Sequence, residues 1–495
     1  MLYLRFPAVL LALFLPAAAQ TLSPQETSLI ERIHANTMKG HVSFLASDLL
    51  EGRDTPSRGL EIAGEYIAAQ FRRVGLEPAG DNGSYFQIAP YLKVTQPMDG
   101  FKIRVELPDG KAWESTGAKV MAATYAATQF SNLEVVKVSL ADENATLPPA
   151  ETVRGKAVIL QTSQRAPGLM AKRDALLAME PAIVLTSGFI STQPFRLRLA
   201  NGPKAPNVPV VVTSDTEFTR FATDLSAGMT SAKLSFNAAA PVEEPIQLRN
   251  VVAKLPGSDP LLQKQYVLLT AHYDHVGISP RGDGDRIHNG ANDDASGVST
   301  VLALAEAFAA QKERPRRTLV FMTYFGEEKG LYGSRYYASH PLFPLKDTVA
   351  NLNFEHMGRT DDNEGPRAGK ITASGFDYTS IGDLLTAAGK DTGVEAWKHE
   401  RNSDSFFARS DNQALADAGV PALTLAVAWI FPDYHRPGDH WEKIDYDNMQ
   451  RVVRTCALAA QRLANADAPP QWVSSNPKVE KYVKAYQALH AQSAN

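Results

Sequence analysis

Five histidine and carboxylate residues, each where an apolar run ends or a turn begins, are the part of this sequence best suited to chemistry. His272 closes the apolar run 266–270 within Ala271-His272-Tyr273-Asp274-His275. On extended backbone, residues two apart point the same way, so His272 and Asp274 would share a face. In a loop, the Asp274 carboxylate could instead accept from the far ring nitrogen of His272 and fix its tautomer, a support that metal-binding histidines usually have. Asp293 and Asp294 lie in Gly290-Ala291-Asn292-Asp293-Asp294-Ala295-Ser296-Gly297, which opens a helical pattern carrying Val298, Val301, Leu302 and Leu304. An acidic pair there can cap the helix and complement its dipole. A carboxylate with both oxygens free can also bridge two cations. Glu327 and Glu328 follow the apolar run 319–324 and are bounded by glycines. Adjacent residues at a strand end face different ways, so one can bind metal while the other meets substrate. Glu355 ends the stretch Asn351-Leu352-Asn353-Phe354-Glu355, and His435 sits in the turn Tyr434-His435-Arg436-Pro437-Gly438-Asp439. A lone histidine of this kind is more often structural. As a set, histidines and carboxylates without cysteine suit zinc or a similar divalent ion. His272, Asp293, Glu328, Glu355 and His435 supply enough donors for two ions roughly 3.5–4 Å apart with one carboxylate shared.

Such residues need a frame. From Asn250 onward, short apolar runs at 266–271, 318–324 and 421–427 alternate with helical patterns at 297–310 and 446–463. This alternation predicts an α/β domain whose mostly parallel central sheet is buried and flanked by helices. Ligands of such sheets gather at the carboxyl ends of the strands. Upstream, 23–38 reads as a helix. So does 60–74, where Ala63, Tyr66, Ile67, Phe71 and Val74 keep helical spacing and Gly75 supplies a stop. Between 117 and 245 the texture changes to short β-like runs around one helical stretch at 168–179. No chemical cluster is legible there, and a structural or substrate-gating role is expected.

With 495 residues the chain is too long for one ordinary core, so two or three domains are expected. A net charge of −4 gives no reason to expect nucleic acid or an anionic membrane as partner. Arg5, the apolar run 8–15 and Ala17-Ala18-Ala19 read as a secretory signal over 1–19. The expectation is a soluble mature chain from Gln20, secreted or periplasmic and free of the membrane once cleaved. The single cysteine, Cys456, has no partner for an internal disulfide and lies in an apolar helical pattern.

Taken together, these motifs resemble the co-catalytic zinc aminopeptidases of secreted bacterial type. Relatives in that family are glutamate carboxypeptidases, glutaminyl cyclases and the inactive transferrin receptor ectodomain. The likeness extends to Phe44-Leu45-Ala46-Ser47-Asp48 with Glu51-Gly52-Arg53, and to Gly419-Val420-Pro421-Ala422. It implies a zinc exopeptidase fold in segments 20–116 and 246–495. The segment 117–245 resembles a smaller α/β protease-associated insert, through 155–160 and 207–211. The resemblance implies a peptide substrate and two zinc ions. In that pattern His272 is the first ligand and Asp274 its support, while Asp293 bridges and Asp294 stands beside it. Glu327 is the general base, and Glu328 and His435 are ligands. Glu355 takes a place where aspartate is more usual. Tyr434 stabilises the oxyanion. A carboxypeptidase acting on acidic residues would need basic residues at the pocket, for which Arg359, Arg401 and Arg409 are available. A cyclase or an inactive binding protein are the other readings.

Overall fold

The computed structural model describes residues 22–491 apart from 141–144, 163–168, 189, 191–192, 203–206 and 281. The expected signal segment lies outside the described residues. Two compact units are present: one takes the chain up to Ala89 together with Leu248 onward, the other is Pro90–Gln247.

In the larger unit the strands Glu395–Ala396, Lys370–Ala373, Ala422–Ala426, Thr348–Phe354, Tyr266–His272, Thr318–Tyr324 and, from Leu248 onward, Val242–Leu255 lie side by side in that order. The central ladders are parallel. The flanking ones, Ala422–Ala426 with Lys370–Ala373 and Thr318–Tyr324 with Val242–Leu255, are antiparallel. The sheet is therefore mixed, with the expected parallel order at its centre. Strands 318–324, 348–354 and 422–426 are buried at every residue, which is why the runs 318–324 and 421–427 are mostly apolar rather than alternating. The polar Asn351 and Asn353 of 348–354 are buried with partners, Asn351 donating to Thr270 and Asn353 to Ser410 and Thr424. Helix Ser296–Ala309 is buried along almost its whole length. Helix Arg58–Arg73 buries Ala63, Ile67 and Phe71 on one face. Its N-cap Ser57 accepts from the Leu60 N–H, a cap of about 1 kcal/mol.

The single helix expected over 23–38 is instead two, Pro24–Glu31 and Ala35–Leu45. The break is held by helix Tyr446–Asn465. Gln450 accepts from the Ala35 N–H at 2.8 Å, and the Arg454 guanidinium donates to the Ile33 carbonyl at 3.1 Å. Tertiary contacts thus satisfy the backbone groups that a continuous helix would have paired internally.

The smaller unit holds an eight-stranded sheet. Successive residues Val158 and Ile159 belong to different apolar clusters, one with Leu176 and Val184, the other with Leu185, Phe218 and Leu234. Alternate side chains of one strand thus feed cores on opposite faces. Strands Lys102–Glu106 and Ala112–Ser115, ahead of residue 117, pair into this same sheet.

Candidate metal centre

The carboxyl ends of the parallel strands deliver the polar residues. His272 is the last residue of its strand, Glu327 and Glu328 follow Thr318–Tyr324, and Glu355 follows Thr348–Phe354. Asp293 lies in the irregular turn Ala291–Ala295 before helix Ser296–Ala309. Its two oxygens face different partners. Oδ1 is 3.3 Å from His272 Nε2, and Oδ2 is 3.1 Å from His435 Nε2. His272, Asp293 and Glu355 form one group of potential ligands; His275, Asp293, Glu328 and His435 form a second. The five sequence-predicted ligands therefore come together, with Asp293 shared.

The surroundings fix these positions. Asp274 Oδ1 accepts the Glu327 N–H at 3.1 Å, and Oδ2 accepts from the Thr55 hydroxyl at 3.1 Å. His272 Nδ1 lies 3.2 Å from the Asp274 carbonyl and 3.6 Å from its carboxylate, so Asp274 serves that ring through its backbone as well. Asp294 turns away from the cluster and accepts from the N–H groups of Gly297 and His356 at 2.9 and 3.3 Å. It caps the helix and ties it to the Glu355 strand end. Asp439 Oδ2 accepts from the backbone of Asn292 and Asp293 at 2.9 and 3.2 Å. Asn292 Oδ1 accepts from Gly358 and Arg359 at 2.8 and 2.9 Å. Arg53, fully buried, donates to the carbonyls of Tyr273, Asn289 and Gly290 at 2.9, 2.8 and 3.0 Å. The Glu51-Gly52-Arg53 motif is thus a clamp on the two loops after His272 and before Asp293.

Two histidines that the motifs did not single out as ligands stand beside the cluster. His275 Nδ1 is 2.9 Å from Glu328 Oε1. His356 Nε2 is 3.6 Å from both Asp293 Oδ1 and Glu355 Oε1. Both are in loops just past strand ends, where spacing does not set side-chain direction. For His275 the signal was its place in the His272 motif; for His356 it was adjacency to Glu355.

The cluster is short of positive charge. Burial alone would lower the His435 imidazole, yet Asp293 and Glu328 outweigh it and raise its pKa to about 10. Burial acts likewise on His356, and Asp293 and Glu355 raise it to about 9. Burial would raise the Glu328 carboxyl, but His275 and His435 hold it down at about 2. Burial and the nearby Glu328 and Glu355 push Glu327 well above the usual carboxylate range, against the pull of His272. Among the described residues, the buried atoms His272 Nε2, Asp293 Oδ2 and Glu355 Oε2 have no hydrogen-bond partner. Packed carboxylates, imidazoles raised only by those carboxylates, and unpaired donor atoms aimed at one another fit divalent cations.

A cleft of about 340 Å³ opens over the group, lined by Glu327, Tyr434, Phe406, Trp429, Arg335 and Arg409 among others. Burial and the surrounding carboxylates raise the Tyr434 hydroxyl far above its ordinary pKa, so it stays a donor. Arg359 and Arg401 are engaged elsewhere, Arg359 with Asp361 and Asp433 and Arg401 with Glu364.

Residues 250–460 match the model of Peptidase family M28. A probable zinc metalloprotease of Pyricularia oryzae is 29% identical over 275 residues, covering 47% of this chain and 53% of that protein. A vacuolar membrane protease of Candida dubliniensis is 29% identical over 233 residues, covering 47% of this chain and 23% of that protein. The chain thus spans about half or less of the length of these curated relatives. The fold is similar to that of an aminopeptidase from Aneurinibacillus sp. strain AM-1, with a TM-score of 0.60 and 21% identity over 91% of this chain and 98% of that one. The relatives correct the expected secreted or periplasmic location, because a matching protein is fungal and is a protease of the vacuolar membrane. An apolar N-terminal run reports targeting by hydrophobicity and does not encode the destination. Among the described residues no helix is long and apolar enough to cross a membrane.

Proposed function

We infer that this chain, whose residues 250–460 are of peptidase family M28, is a zinc-dependent metallopeptidase that removes residues from the amino terminus of peptides. The observation that carries this is Asp293, with one oxygen toward the His272 and Glu355 group and the other toward Glu328 and His435. His272, Asp293 and Glu355 would hold one zinc ion, and Asp293, Glu328 and His435 a second. Bound there, zinc lowers the pKa of water toward neutrality and polarises a carbonyl oxygen.

The protein's own residues do the rest. Glu327, on the cleft wall and held by its backbone to Asp274, takes the proton of the attacking water and passes it to the leaving amine. The Tyr434 hydroxyl donates to the developing oxyanion. Phe406 and Trp429 offer apolar surface to a substrate side chain. Asp274 positions and does not touch substrate. We propose the smaller unit as the expected protease-associated insert, outside the chemistry.

A second reading is favoured by Arg335 and Arg409, which are exposed on the cleft and form no ion pair among the described residues. They suit a substrate carboxylate, as a carboxypeptidase would require. A panel of aminoacyl and C-terminal substrates, with chelator and then zinc add-back, separates the two. Zinc-dependent release of amino-terminal residues is expected. Glu327→Gln should still bind zinc and lose about 10²–10⁴-fold in turnover; full activity in that variant would remove Glu327 from its role.

A further inference from the structure

We propose that the two metal positions are unequal, because His275 Nδ1 is a fourth protein ligand on the Glu328–His435 side. Four donor pairs on that side are resolved by distance. His275 Nδ1 is 2.9 Å from Glu328 Oε1 and 3.7 Å from Asp293 Oδ2. His435 Nε2 is 3.1 Å from each of the same two oxygens. Metal–donor bonds of about 2.0–2.1 Å arranged tetrahedrally place neighbouring donors about 3.3 Å apart. The four separations bracket that edge, and all four donor atoms lie within 4.8 Å of one another.

The ring of His275 is built into place. It is fully buried, and its backbone N–H donates to the Arg53 carbonyl at 3.2 Å. Gly290, at φ +60, packs so closely that a Cβ there would come within 2.6 Å of the ring. The ring of His435 meets it edge-on at 5.6 Å between centroids. A tetrahedral position filled by two imidazoles and two carboxylates is closed in the manner of a structural zinc site, whereas the group His272, Asp293 and Glu355 supplies three donors and keeps one place open. The closed position binds its ion first and holds it; the open one exchanges.

The inference rests on the reading of the cluster as a divalent-metal centre, and the test separates the two. Metal-free protein is titrated with zinc against a chromophoric chelator, and the sample holding one equivalent is studied by X-ray absorption. Two ions per chain are expected, the first bound at least about tenfold more tightly, with two imidazoles around it. His275→Ala should weaken the first ion by more than about 100-fold, beyond the 10–100-fold range of an outer support, and leave one imidazole in the spectrum. Glu355→Ala should lose the second ion and keep the first unchanged. Zinc that binds twice with equal affinity, or a first ion with one imidazole that His275→Ala does not alter, overturns the inference and leaves the metal centre standing. Protein that binds no zinc overturns both.

Discussion

An imidazole buried among apolar groups behaves oppositely to one buried among carboxylates, and this chain holds both kinds. His41 is 5% exposed, with Nδ1 2.9 Å from the Tyr66 hydroxyl and Phe44 stacked on the Tyr66 ring. Burial pushes its pKa from 6.5 down to about 4, with Glu306 opposing and Arg73 assisting. The folded state therefore keeps it neutral while the unfolded chain takes up a proton near 6.5. Its contribution is present above that value and is lost as pH falls through about 4. At 1.36 kcal/mol per unit this amounts to about 3 kcal/mol. His41→Gln keeps a partner for Tyr66 and removes the titration. Urea denaturation should show the stability of the variant rising relative to the parent chain by up to about 3 kcal/mol between pH 7 and pH 4. A pH-independent difference between the two would refute this account of His41.

Elements carry the residues to one place, and one tight junction is between helix Ser296–Ala309 and strand Thr348–Phe354. At Gly297 a Cβ would meet the Phe354 carbonyl at 2.2 Å and an Asp294 carboxylate oxygen at 2.3 Å. Gly40, in helix Ala35–Leu45, has nothing within 4 Å of the same position. Gly297→Ala should cost about 1–3 kcal/mol by overpacking and reduce zinc bound per chain, since Asp294 and Asp293 must shift together. Gly40→Ala should gain up to about 1 kcal/mol. Thermal denaturation and metal analysis of the two variants check both signs. This junction also marks where sequence reading runs out. The runs 318–324 and 421–427 were legible because strands buried on both faces are mostly apolar. The candidate ligands were legible as an ordered set, His272, Glu328 and Glu355 at or just past strand ends and Asp293 and His435 in turns. The roles of His275, Asp439 and the Arg53 clamp were not, because they are set by loops that meet across 53, 147 and 220 residues of sequence respectively. The helix break at 32–34 was hidden for the same reason: Gln450 and Arg454, which hold it, lie over 400 residues away.

On the scale of the whole molecule, the candidate ligands span residues 272 to 435 and meet only when the larger unit is folded. Metal bound there stabilises the native state alone. At a free zinc concentration 1,000-fold above the dissociation constant, mass action adds about 4 kcal/mol. The smaller unit, Pro90–Gln247, contributes no residue to either ligand group. Its sheet is held by its own apolar clusters, with Ile103, Val135, Ile159 and Leu234 fully buried. Chelation should therefore act on one unit and spare the other. Hydrogen exchange read by mass spectrometry, with zinc and after chelation, is the direct measurement. Peptides covering 266–275, 290–300, 318–330 and 348–358 should lose protection by up to about 1,000-fold in opening equilibrium, the same 4 kcal/mol expressed as a ratio. Peptides covering 128–140, 157–162 and 228–238 should be unchanged. Equal loss in both sets would mean that the metal supports the whole chain as one cooperative unit, and protection unchanged in the first set would mean that the cluster is stable without it.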